Sequence, residues 1–472
     1  MIVGETVADV EEAFVKSFGT RIGVLAVVVS LAAAACGSSA SSAGPASPAS
    51  YSASGAVSAS PAASPAATAV QPVTLTFWKP TWGTDDKYLP PLFKQFEAEH
   101  PGVTINYLFG SWSNTVQQYT TGFLSGSPPD VMYMPDEIYP IFASSNQLAP
   151  LDNFADLATV KQDYAPQWWD PGTYNGHTWG IPYVHVGVSI VYNKALFDKA
   201  GLSYPPGVND PNLSSWTWAN FLQDAQKLTN ASTSQVGFAW AGNWTGCPEC
   251  LTYNFVKEAG DNILNDAGTA VAFDNPAGLQ AFQFMNSLVT SKVVPAGGMD
   301  PKFQDNFLNG QAAMAPFDVY DVLNIAENHP NLNVGVAPWP QGPGTQLLGG
   351  RGMHANVGFL LMAAQSKNKD LDWDLIKFLT SKANSEAYLN ATGLFGCRND
   401  SALQLPNATG QQLTTQVLAM TTKYGYGYAP NPKNIDIATI FTAEVQNMLQ
   451  GNKTPEQAWK DAVSEMNAKL QP

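Results

Sequence analysis

The 472-residue sequence predicts an α/β protein built as two lobes, and three observations predict it. At 45% hydrophobic and 13% charged, the chain can fill two cores of roughly 200 residues once its N-terminal segment is set aside. Residues 73 to 134 alternate strand and helix patterns in a βαβαβ order, which implies a parallel sheet with functional groups beyond the strands' carboxyl ends. The stretch Trp179 to Leu202, WGIPYVHVGVSIVYNKALFDKAGL, reads as a long apolar strand, Ile181 to Tyr192, running into a helix. A strand that leaves one body and at once feeds a helix of the next is a hinge.

The elements follow in order. Residues 22 to 35, IGVLAVVVSLAAAA, are an apolar run of 14 without charge, too short to span a bilayer and suited to a signal-peptide core. Residues 1–35 are therefore read as a signal peptide, although the leader MIVGETVADVEEAF is acidic, as a start codon placed too early would explain. From 36 to 71 the chain is mostly Ser, Ala, Pro and Gly, a tether whose flexible reach is roughly 30 Å. The fold begins with the alternating strand Val73 to Trp78. A helix follows from about Tyr88 to His100, then the strand VTINYL, a helix around Thr115 to Leu124, and a strand from Asp130 to Met134.

Asn193 is expected to cap the helix after the crossing strand, with Ala195, Leu196 and Ala200 inward and Gly201 as its stop. Thr217 caps the next helix, whose buried stripe is Phe221, Ala225 and Leu228. A polar loop after a short strand, GFAWAGNWTGCPEC, carries Trp240 and Trp244. Beyond it a strand is expected over Thr269 to Phe273 and a helix over Pro276 to Ser291. Gly310 ends a helix, and small residues after it let a strand pack closely. Val334 to Gln341 reads as a strand entering a second crossing. Asn356 to Met362 is a strand, Asp372 to Thr380 a helix, and a third crossing is expected near Ser381. Tyr424, Tyr426 and Tyr428 lie on a loop before two closing helices, Ile435 to Leu449 and Thr454 to Leu470.

Several motifs along this path resemble one family. GIPY with VYNKALFDKAGL, PPDVMYM with FASSNQLAPLD, FLNGQAAM, and TGLFGCR together look like the extracellular solute-binding proteins of ABC sugar importers, the family that includes maltose-binding protein. Gly396 and Cys397 depart from that family's pattern at the last of these. The small residues before Cys36 match a bacterial lipobox, which implies acylation of Cys36 and anchorage at the outer face of the cell membrane. The resemblance spans residues 73 to 470 and implies a two-lobed periplasmic-binding-protein-like fold of type II with a multi-crossing hinge. Residues 72–184 and about 337–380 are assigned to the first lobe, and 185–336 and about 381–472 to the second. It further implies an interlobe cleft for a sugar or oligosaccharide, ABC permease partners, and a monomer.

Composition sorts the alternatives. A net charge of -15 excludes a nucleic-acid partner, which would need basic patches. The 5 His residues show no metal-ligand spacing, no G-x-S-x-G occurs, and Gly-Lys is absent, so no metal or cofactor is expected. Cys247 and Cys250 in an exported chain are read as a short-loop disulfide, with Cys397 left over. Thirteen Trp, 17 Tyr and 23 Phe supply stacking platforms for sugars as well as core. The cleft candidates are Trp78, Trp82, Tyr133 and Asp136 on the first lobe. On the second side they are Trp240, Trp244, Asp318, Tyr320, Trp339 and Arg351. A glycoside hydrolase is the enzymatic alternative; it needs two carboxylates facing across the sugar, for which Asp130, Asp136 and Asp318 are available. A binding protein for a peptide or polyamine is the third possibility.

Overall fold

A computed structural model of the chain describes residues 72–82, 85–241, 249–298, 300–344 and 348–471. Strands β1 (Val73–Pro80), β2 (Val103–Gly110), β3 (Val131–Pro135) and β4 (Gly180–His185) enter a first sheet. Strands β5 (Val188–Asn193), β6 (Val236–Phe238), β7 (Ala312–Asp318) and β8 (Val334–Ala337) form a second. Strands β9 (Val357–Met362) and β10 (Phe395–Gly396) then return to the first, whose order is β10-β4-β9-β3-β1-β2. The second runs β8-β5-β7-β6. Helices flank both sheets, which makes the two lobes that the βαβαβ pattern and the crossing strand predict.

The βαβαβ opening pairs as expected, with β1 parallel to both β2 and β3. Leu75 and Phe77 point into the core beneath the helix Asp85–Glu99, which buries Leu89, Phe93 and Phe96 at helical spacing. Asp130 opens β3 as a lock: its Oδ2 accepts from the Thr76 amide and hydroxyl, both at 2.8 Å. It therefore serves the sheet, not a ligand.

The predicted single strand Ile181 to Tyr192 is two strands in two sheets, broken at Val186 and Gly187. Every residue of β4 and β5 is buried, which is why the run is continuously apolar instead of alternating. A Cβ on Gly187 would stand 2.3 Å from Thr421 Oγ1 and 2.8 Å from Met353 Cε, so only glycine passes between them. Asn193 caps the following helix by accepting from the Leu196 amide at 3.4 Å, and Gly201 ends it at φ +66°. The inward residue is Phe197, whereas Ala195 and Ala200 are exposed and Leu196 half-buried. The helix has only seven residues, and the ring of Phe197 against Tyr192, 5.4 Å between centroids, sets its rotation.

Three other expectations change. Thr269 to Phe273 forms no strand; the Asn265 side chain holds the amides of Thr269 and Ala270, and only an isolated bridge joins Leu264 to Val271. The second crossing comes later than Gln341. Gln341 N donates to Trp216 O at 2.7 Å and His354 N to Asn254 Oδ1 at 2.9 Å, so the chain stays on the second lobe until β9. The third also comes later than Ser381. Ser381 caps the helix Lys382–Thr392, whose Tyr388 hydroxyl donates to Asp85 at 2.6 Å, and β10 pairs with β4. A capped turn looks the same in sequence whether or not the next helix stays on its sheet.

Candidate functional site

The carboxyl ends of β1 and β3 gather aromatic rings around one buried ion pair. Trp82 lies just past β1 and Trp112 just past β2. Their centroids are 5.1 Å apart, and Tyr133 of β3 meets both edge-on, at 5.5 and 6.2 Å. Lys79 Nζ sits 3.8 Å from the Trp82 ring centroid and 5.0 Å from that of Tyr133. Its counter-ion is Asp85 at 2.7 Å, and neither side chain has any solvent exposure. Asp85 also accepts from the Trp82 amide at 3.0 Å and from Tyr388. Burial pulls the Lys79 amine down to about 8 against the upward pull of Asp85. Trp82 and Trp112 remain half-buried, so this wall offers ring surface on a braced base.

Sequence reasoning placed Trp82 and Tyr133 here and missed Trp112, Lys79 and Asp85. The strand-end rule that selected Trp82 would have found Trp112 in FGSWSN. Tyr133 is 1% exposed and backs the wall instead of forming its face. Trp78 is not part of it: strand alternation sends its ring to the other side of the sheet, against Tyr119 at 6.2 Å and over Gly122.

Past β3, Asp136 joins the two lobes. Its Oδ2 accepts from the Tyr428 amide at 2.9 Å and its Oδ1 from Asn356 Nδ2 at 3.1 Å. A Cβ on Gly427 would lie 2.4 Å from that Oδ2, which explains the glycine between two tyrosines. Asn356 also donates to Glu137 at 2.5 Å. Burial raises the Asp136 carboxyl to about 7, and burial with Asp136 alongside raises Glu137 well above its ordinary value. Asp136 is thus a clasp at the hinge, with its oxygens occupied.

On the second lobe, Asp318 caps the helix Val319–Asn328 by accepting from the Asp321 amide at 2.9 Å. Tyr320, half-buried on the first turn, has its hydroxyl pushed up by burial, then by Asp321, Asp318 and, from the first lobe, Asp85. Asp85 of the first lobe is thus among the charges felt by the Tyr320 hydroxyl.

The other second-lobe candidates serve the fold. Trp240 has no exposure, its Nε1 donates to Leu251 O at 3.2 Å, and its edge meets Phe255 at 5.8 Å. Trp339 is 1% exposed and donates to Val188 O at 2.7 Å, pinning the first residue of β5. Arg351 directs Nη1 to Trp339 O at 2.9 Å and Nη2 to Leu213 O at 2.5 Å, so backbone carbonyls take its fork. These three correct the expectation of cleft contact. Each lies near a strand end or glycine pair, but core rings and backbone carbonyls take it up. Trp244, Cys247 and Cys36 lie outside the described residues. Cys250 is disulfide-bonded, and Cys397 is free, buried, and has its thiol raised by burial. Among the described residues no His, Cys, Asp and Glu group could hold a metal, and no helix is long and apolar enough to cross a membrane.

Known proteins share this fold. Residues 81–386 match the family described as bacterial extracellular solute-binding protein. The chain is 25% identical over 433 residues to an sn-glycerol-3-phosphate-binding periplasmic protein of Escherichia coli, covering 86% of this chain and 94% of the relative. An ABC transporter solute-binding protein of Thermotoga lettingae, solved with α-D-tagatose, superposes with TM-score 0.69 at 24% identity, over 84% of this chain and all of that one. The GacH receptor of Streptomyces glaucescens, solved unliganded and with acarbose, gives TM-score 0.72 at 23% identity, over 84% and 98%. These structural likenesses establish the two-lobed fold.

Proposed function

Since the chain belongs to the bacterial extracellular solute-binding proteins, we propose that it captures a neutral sugar or oligosaccharide between its lobes and hands it to an ABC permease. The observation that carries this reading is the half-buried pair Trp82 and Trp112 over a braced base, with Tyr320 on the opposing lobe. Such rings pack on the apolar face of a pyranose, and polar groups around them select among hydroxyl patterns. Solved neighbours carrying α-D-tagatose and acarbose support the same class. The E. coli relative's phosphorylated ligand would need a free cation at the wall, whereas Lys79 is engaged by Asp85.

Closure would run as a rotation about the three crossings, with Gly187 and the Asp136 clasp at the pivot. The role is binding and not hydrolysis: Asp130, Asp136 and Asp318 each hold backbone amides. Cys36 would carry the lipid anchor, and Cys36→Ala should release the protein from the membrane fraction.

The test is a thermal-shift and calorimetric screen against mono- and oligosaccharides, with glycerol 3-phosphate alongside. A true ligand at 100 times its Kd stabilises by about 2.7 kcal/mol. Stabilisation by glycerol 3-phosphate alone, with every sugar inert, would overturn the reading.

A further inference from the structure

The second lobe carries an aromatic platform of its own, in a cavity that no residue of the first lobe lines. The cavity lies between the helices Trp218–Leu228 and Pro276–Thr290 and the loop from Gln341 to Pro343, and its volume is about 750 Å³. Small-molecule sites span roughly 300–1,000 Å³. The platform is Trp218 and Phe284, half-buried rings stacked with centroids 4.2 Å apart and planes 6° from parallel. Three contacts fix Trp218. Its Nε1 donates to the buried Glu258 at 2.5 Å, its amide donates to Gln341 O at 2.9 Å, and Phe255 meets its ring at 6.3 Å. A Cβ on Gly342 would stand 2.3 Å from Glu258 O, so the loop closes against the same brace. The rings therefore keep one orientation while part of their surface stays open to the cavity.

The polar lining is the second observation. Ser214, Thr217, Gln280, Gln283 and Gln341 surround the rings, and among the described residues the lining holds no charged side chain. Ser214, Gln280 and Gln283 are exposed, and their side chains hydrogen-bond to no other described residue. Gln341 directs its Nε2 to Gly349 O at 3.2 Å, which leaves its carbonyl oxygen as an acceptor. Each carboxamide both donates and accepts, as does the serine hydroxyl. This lining selects its occupant. An ion would find no counter-charge, and an apolar or aromatic guest would strip water from the amides without replacing their hydrogen bonds. A saccharide ring offers an apolar face to the rings and, around its rim, hydroxyls that donate and accept in turn.

We propose that this cavity is a second carbohydrate site, which takes a neutral saccharide ring on Trp218 and Phe284 with the amides of Gln280 and Gln283 on its hydroxyls. It goes beyond the capture proposed above. A sugar held here touches one lobe only, has no differential hold on open and closed forms, and does not drive closure. The proposal rests on this cavity and stands whether or not the aromatic wall of the first lobe binds sugar.

The test is a titration of the full chain, labelled with ¹⁵N at its indole nitrogens, with glucose, galactose, mannose, maltotriose and N-acetylphenylalanine amide in separate arms. Trp218→Phe, which keeps a ring on the platform, assigns the Trp218 indole resonance by its loss. At least one sugar should shift that resonance saturably, with a Kd on the order of 1 mM for a ring held on one open wall. In Trp82→Ala the same Kd should hold within about twofold, since the two sites share no residue. Gln283→Ala, at an exposed helix position that the fold tolerates, should raise the Kd by about fivefold, and Gln280→Ala should act in the same direction. If calorimetry finds no sugar at the first-lobe wall while this resonance still moves, the capture reading fails and this one holds. A Trp218 resonance that no sugar moves, a shift that disappears in Trp82→Ala, a Kd unchanged in both glutamine variants, or movement with N-acetylphenylalanine amide alone would overturn the proposal.

Discussion

The tryptophans of the two lobes had the same credentials in the sequence and met opposite fates. Trp82 and Trp112 stand at strand ends of the first lobe with ring surface open. Trp240 and Trp339 of the second stand near strand ends too, yet both are sealed, each indole donating to a backbone carbonyl. The difference lies in what packs against the ring. Past β1 a helix braces the Trp82 ring from below through Asp85, whereas Trp240 meets Phe255, and Trp339 meets Phe238 and Phe255, inside the second lobe's core. A strand end positions a side chain; its tertiary neighbours decide whether solvent or protein receives it.

The comparison makes predictions that descend in size. Trp240→Ala should destabilise the fold by about 3 to 5 kcal/mol in denaturant melts and leave the sugar affinity of the folded fraction unchanged. A variant that melts like wild type but loses sugar would put Trp240 back in the cleft. Lys79→Met strands the Asp85 carboxylate in the core, and its cost should approach the same size, about 3 to 5 kcal/mol. Here affinity should fall as well, because the base of the Trp82 wall goes with it.

The clasp predicts a pH dependence. The folded-state value of Asp136, about 7, lies above its ordinary 3.8, so the folded protein keeps a proton that the unfolded chain releases. Stability should therefore fall as pH rises from about 4 to about 7 and level off above. Asp372, raised by burial to about 7, adds in the same direction, so Asp136→Asn should flatten only part of the slope. A stability profile that rises across this window contradicts the assignment.

Smaller effects sharpen the open side of the comparison. Trp82→Ala should weaken sugar binding by about 2 kcal/mol, roughly 30-fold, while costing the fold well under the Trp240 change. Equal stability losses in the two variants would erase the distinction between wall and core. Tyr320→Phe, which removes one hydroxyl, should cost about 0.5 to 1.5 kcal/mol in affinity and leave the melt in place; calorimetry of that variant with the best sugar from the screen checks it.

Local chemistry settles whatever depends on a residue and its near neighbours in the chain. The alternation of Leu75 and Phe77, the caps at Asn193 and Thr217, the stop at Gly201 and the continuous apolar run of β4 and β5 could all be read directly, because each is fixed within about one turn of helix or one strand. So could the two lobes, since an apolar run too long for one strand has to pass from one sheet into another. Of the aromatic wall, only Trp82 and Tyr133 could be named from the sequence. Lys79 with Asp85 shows nothing in sequence of its role at zero exposure, and the bond from Tyr388 to Asp85 spans 303 residues. Asp136 reads as a cleft carboxylate until the Tyr428 amide, 292 residues away, is found on it. Arg351 and the late crossings belong to the same class. Burial and hydrogen-bond partnership are properties of the folded chain, and a residue's type and spacing do not carry them.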